Sequence, residues 1–127
     1  MPHVIVEYTN NLRSEGNIPN LLQKINETLI EQGDVFPIGG IRSRAIELSN
    51  YVVADGTGAD DAFVHVSLKI GAGRDEAVLK HACDQVFAQI ENHFSELFQS
   101  RYLALSMEVE EFQKATYKKN NIHTRYK

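Results

Sequence analysis

The sequence predicts an α+β fold in which tandem β-α-β units share a four-stranded sheet, with two helices on one of its faces. Three observations predict it. The order strand, helix, strand occurs twice. VIVEY (4–8) aligns with VHVSL (64–68) at an offset of 60 residues. The segment after each of these strands carries apolar residues stepping by three and four, the spacing of a helix buried on one side. Identity between the halves is low, so the repeat rests on pattern. A chain of 127 residues is one domain by size, here with pseudo-repeats at about 2–55 and 62–112 and a tail at 113–127.

Val4 to Tyr8 is apolar and β-branched enough to read as a short, largely buried strand. The first helix follows: Ile18, Leu21, Leu22, Ile25 and Leu29 fall on one face, Pro19 suits the first turn, and Gly33 suits the C-terminal cap. FPIGG (36–40) punctuates the chain. IRSRAIEL (41–48) then alternates, so Arg42, Arg44, Ile46 and Leu48 leave one face of a strand. YVVADGTGADD (51–61) reads as a strand end with a glycine-rich turn. AFVHVSLKI (62–70) is the second strong strand, and GAGRDE (71–76) is a tight connection. Residues 77–98 read as one long amphipathic helix burying Val78, Leu79, Ala82, Val86, Ile90, Phe94 and Leu97. YLALSMEVEEF (102–112) closes the sheet with Leu103, Leu105, Met107 and Val109 pointing one way. The basic tail is expected to pair with or wrap the rest of the chain. Helices on one face leave the other face of the sheet uncovered, which predicts a homo-oligomer.

Composition excludes several functions. The net charge of −4 argues against a nucleic-acid or anionic-membrane surface. A single cysteine, Cys83, makes no internal disulfide and fits a reducing compartment, so the cytoplasm is the expected location. No apolar run approaches the roughly 18 residues of a membrane span, and the start lacks the layout of a secretory signal. His3, His65, His81, His93 and His123 show no metal-ligand spacing, so no metal is expected. Gly71-Ala72-Gly73 lies between strand and helix as a phosphate cradle does. Glu76 stands where a dinucleotide fingerprint needs its third glycine, so a tight turn is the better reading. Cys83, mid-helix and without a visible partner, reads as packing.

The remaining chemistry lies in Pro2 and three arginines. A proline before an apolar run can simply start a strand, where its missing N–H costs nothing. Alternatively, removal of Met1 makes Pro2 a chain-terminal secondary amine and a base. An ordinary α-amino group has a pKa of about 7.7 to 8.0. Desolvation and neighbouring cations both lower it and free the amine as a base near neutrality. Arg42 and Arg44 leave the same strand face, and Arg74 stands at the junction of the second strand and its helix. They serve as solvated or interface salt-bridge residues, or they form a carboxylate site, since guanidinium matches carboxylate with paired hydrogen bonds. Near a terminal proline they would both activate the base and hold an anionic substrate, with no metal or organic cofactor.

PHVIVEY at the start, GIRSR (40–44), FVHVSLKIGAGR (63–74) and KNNIHTRYK (119–127) together resemble the 5-carboxymethyl-2-hydroxymuconate Δ-isomerase family of the tautomerase superfamily. The resemblance runs essentially end to end. It implies a β-α-β pseudo-repeat assembled as a homotrimer with active sites near subunit boundaries. It implies cofactor-free isomerisation of a multiply charged dienol acid to its 2-oxo-3-ene form, a step in homoprotocatechuate degradation. It further implies that Pro2 carries the proton, that Arg42 and Arg74 bind carboxylates, and that Arg44 serves either substrate or the trimer interface. Another tautomerase reaction on a related keto-enol acid, or a non-catalytic oligomeric binding module, remains an alternative reading of the same residues.

Overall fold

The computed structural model describes residues 1–126. In chain order it contains β1 (His3–Thr9), α1 (Ile18–Ile30), β2 (Arg42–Leu48), β3 (Ala62–Gly71), α2 (Glu76–His93), α3 (Ser95–Ser100) and β4 (Leu103–Phe112), with short 3₁₀ turns between. The sheet order is β2-β1-β3-β4. β1 runs parallel to β2 and antiparallel to β3, and β3 runs parallel to β4. Each β-α-β unit is therefore a parallel pair joined through its helix, and the two units meet at the β1–β3 seam. Val6 pairs with Val66, the residue 60 positions on, at the centre of that seam.

Alternation sets the two faces of the sheet. Val4 and Val6 of β1 and Val64, Val66, Leu68 and Ile70 of β3 are buried beneath the helices. Leu21, Ile25 and Leu29 of α1 and Ala82, Val86 and Ile90 of α2 close over them in one continuous core. Each such aliphatic side chain contributes about 1.5–3 kcal/mol on full burial. The opposite face carries His3, Ile5, Arg44, His65, Ser67 and Glu108. His65 bridges the β3–β4 pair there, its Nδ1 2.7 Å from Ser106 Oγ and its Nε2 3.1 Å from Glu108 Oε1.

Three expectations need correction. The long second helix breaks at Phe94 (φ −100°, ψ 12°) and resumes as α3. His93 and Phe94 are both engaged inward at the break, one bonded to Gly16 and the other fully buried. Val78, expected in the buried stripe, is 42% exposed in the first turn of α2. Residues 51–53 form no strand end, because β2 stops at Leu48. Tyr51 instead anchors the loop, donating to Asn10 Oδ1 at 2.9 Å and meeting Phe63 edge to face. The glycine-rich turn itself is present, with Gly56 at φ +80°.

The tail wraps back on the body. Asn120 Nδ2 donates to the Gly39 carbonyl at 2.8 Å, and a 3₁₀ turn over Ile122–Tyr126 packs against the Ile38–Gly40 turn. Lys127, the last residue of the tail, lies outside the described residues.

Candidate active site

The chain start enters the sheet at the corner formed by β1 and β2. The Arg42 backbone N–H donates to the Pro2 carbonyl at 3.2 Å, so β2 grips the chain one residue before β1 begins. Pro2 itself is buried. The tail roofs this corner because the chain is bare at Gly39 and Gly40. A Cβ at Gly39 would stand 2.7 Å from His123 Nδ1 and 2.8 Å from its Cα, and one at Gly40 would stand 3.4 Å from Met1 Cγ. The three segments enclose a pocket of about 290 Å³ lined by Met1, Pro37, Gly40, Lys118, Asn120 and His123.

Positive charge acts on the amine at its rim. The amine of Met1 is held below its ordinary value, first by burial, then by the charges of Arg74, Lys118 and Arg42. Arg74 is firmly placed. The Gly71–Gly73 connection, with Gly73 at φ +110°, turns the chain into α2, whose N-terminus is capped by Asp75 accepting from Val78 N at 3.1 Å. Arg74 Nε donates to the Val35 carbonyl at 3.1 Å and Nη1 to the Gly71 carbonyl at 3.0 Å, while its guanidinium lies 4.7 Å from the centroid of the Phe36 ring. These contacts fix the plane of the guanidinium and leave further N–H donors for an anion. Arg42 faces His3 in the β1–β2 register and adds its charge from the sheet.

Arg44 is not brought into this group. Its Nη1 lies 3.3 Å from His3 Nδ1 on the open sheet face, and its charge acts on His3. The His3 imidazole is held below its usual value by burial, then by Arg42 and Arg44. The thiol of Cys83 is raised, first by burial and then by Asp84, as suits a packing role.

Three lining residues, Lys118, Asn120 and His123, escape a reading of local pattern. Beyond the family resemblance of KNNIHTRYK, their sequence signal is a polar, basic tail together with the bare Gly39-Gly40 pair. A larger cavity of about 590 Å³ lies at the opposite end of the sheet, lined by Glu15, Asp60, Asp61 and Arg101 among others. Arg101 is occupied there by the Asn11 and Asp60 carbonyls, so that cavity presents carboxylates and does not suit an anion.

The family model described as 5-carboxymethyl-2-hydroxymuconate isomerase matches residues 2–126. The chain belongs to that family. It is an isomerase by this membership, and its fold is that of the tautomerase superfamily. A curated 5-carboxymethyl-2-hydroxymuconate Delta-isomerase from Escherichia coli is 44% identical over 128 residues, spanning all of both chains. The crystal structure of a 5-carboxymethyl-2-hydroxymuconate isomerase from Deinococcus radiodurans R1 superposes with a TM-score of 0.95 at 52% identity, covering 99% of this chain and 94% of that one. A fused 4-OT symmetric trimer, 16% identical, shares the fold with a TM-score of 0.66 over 91% of this chain and 93% of that one.

Proposed function

We propose that this family member isomerises 5-carboxymethyl-2-hydroxymuconate to 5-carboxy-2-oxohept-3-enedioate in homoprotocatechuate breakdown, with Pro2 as the base once Met1 is removed. The observation that carries the reading is the convergence of Arg74, Lys118 and Arg42 on a partly desolvated chain-terminal amine. Burial and the same cations act on a proline amine at this corner in the same direction, favouring its neutral, basic form. Pro2 accepts the proton of the 2-hydroxyl, the electron pair shifts through the diene, and the proton is returned to the far carbon of the conjugated system. One O–H bond breaks and one C–H bond forms, with no net oxidation, so the step requires no redox partner. Arg42 and Arg74 bind carboxylates and stabilise charge developing on the enolate.

The working form in this reading is a cytoplasmic homotrimer. The open sheet face with Ile5, Ile46 and Arg44 supports assembly, as does the likeness of fold to the fused 4-OT trimer. The test is the ultraviolet absorbance change of 5-carboxymethyl-2-hydroxymuconate on a sample whose intact mass shows a chain beginning at Pro2. Rapid isomerisation is the expected result. Absence of turnover by that chain overturns the assigned substrate.

A further inference from the structure

We infer that Lys118 is a substrate-binding residue that selects a tricarboxylate over a dicarboxylate. The inference deepens the function proposed above and rests on it. A muconate skeleton carries a carboxylate at each end, and the carboxymethyl substituent adds a third. Arg42 and Arg74 supply two cations at the corner, and Lys118 supplies the third charge acting on the chain-terminal amine. Of the three cations acting on that amine, Lys118 is the one among the described residues that also lines the pocket of about 290 Å³ beside Met1.

The tail delivers Lys118 by a defined route. Asn120, two residues on, is anchored through Nδ2 to the Gly39 carbonyl at 2.8 Å, and its Oδ1 accepts from the Ile122 N–H at 2.7 Å. Thr124 Oγ1 closes the following turn on the Asn121 carbonyl at 2.7 Å. The backbone after Lys118 is thus clamped while its own side chain stays exposed. The cations differ in kind. Arg74 is a planar fork locked by two carbonyls and an aromatic ring, suited to a carboxylate on the rigid conjugated chain. Lys118 is a mobile point charge on a flexible stem, suited to a carboxylate that swings on a methylene.

The test uses chains beginning at Pro2, comparing wild type with Lys118→Met, Lys118→Arg and Lys119→Met. Turnover of 5-carboxymethyl-2-hydroxymuconate and of 2-hydroxymuconate is measured at the plateau of each variant's pH profile. Loss of a charge-assisted contact predicts that Lys118→Met raises KM for the tricarboxylate about tenfold to a hundredfold. KM for the dicarboxylate and kcat for both should stay near wild type, Lys118→Arg should recover most of the loss, and Lys119→Met should change neither. Equal losses on both dienols overturn the inference. Calorimetric binding of propane-1,2,3-tricarboxylate against glutarate separates it from the reaction itself. If wild type turns over neither dienol, the proposed reaction fails. A tricarboxylate preference abolished by Lys118→Met still supports the inference in that case, and an unchanged or absent preference overturns it.

Discussion

His93 donates from Nε2 to the Gly16 carbonyl at 2.7 Å, joining the last turn of α2 to the loop that leads into α1. A carbonyl can only accept, so the neutral ring carries its proton on Nε2. The other nitrogen, Nδ1, is buried without a hydrogen-bond partner among the described residues. A second proton there would find no acceptor, and burial holds the imidazole below its ordinary pKa, partly offset by the Gly16 bond.

Stability should therefore fall in mild acid. The unfolded chain takes up a proton on this ring at about pH 6.5, the folded chain only at lower pH. The contribution is complete above about pH 6.5 and is lost as pH falls through the folded value. His3, also lowered, acts with the same sign. Thermal unfolding between pH 7.5 and 5 should show a falling Tm, and His93→Gln, which keeps an N–H donor but does not titrate, should flatten the slope. Parallel slopes for the two proteins would exclude His93 as the group responsible.

Pro2→Ala, processed to begin at residue 2, should fold with an unchanged circular dichroism spectrum. Turnover should fall by about 10²- to 10⁴-fold if the amine is the general base, with some activity surviving on the primary amine. Wild-type rates in this variant would leave Pro2 only its role as the residue before β1.

Arg42→Ala and Arg74→Ala should each move the acidic limb of the kcat/KM profile to higher pH. Both cations push the terminal amine downward, so removing either lets its pKa rise, and a base that must be neutral then works only in more alkaline solution. KM should rise more for multiply anionic substrates than for monoacids. Arg44→Ala should move the limb less, since Arg44 acts on His3. A limb that does not shift in either of the first two variants would contradict the placement of these charges.

Gly39→Ala should disconnect the tail. The new methyl would meet the His123 backbone nitrogen at 2.8 Å, a distance no neighbouring main chain accommodates without moving. Faster tryptic cleavage after Lys118 and Lys119, with a raised KM and a nearly unchanged Tm, is the expected pattern. Protection equal to wild type would show that the tail adjusts without leaving the pocket.

The sequence carried most of the fold because it is built from local periodicity. The alternation in 62–70 and the three-and-four spacing in 18–29 each record one buried face, and the 60-residue offset reappears as the Val6–Val66 pair. The break at Phe94 was hidden because the apolar spacing continues through Leu97 on both sides of it. At the candidate site, Pro2, Arg42 and Arg74 stand next to strand ends and could be found from their neighbours. Lys118, Asn120 and His123 could not. Their position follows from the contact of a non-periodic tail with two glycines about 80 residues earlier, and such a contact leaves no local pattern.

The β1–β3 seam has a further consequence. It relates the two halves of the sheet by an approximate rotation, so the corner where β1 begins has a counterpart at the far end, where β3 begins with Ala62. At that counterpart the peptide runs on: Ala62 is an interior residue whose N–H is committed to the Tyr102 carbonyl at 3.0 Å. A strand-helix-strand unit standing alone would begin with an amine at this corner, whereas the second unit here begins with an amide. The chain thus has two like corners, and under the proposed function the first alone holds the basic nitrogen. Its second corner, rimmed by Asp60, Asp61 and Glu15 with Arg101 committed to main-chain carbonyls, is released from any requirement to hold an anion.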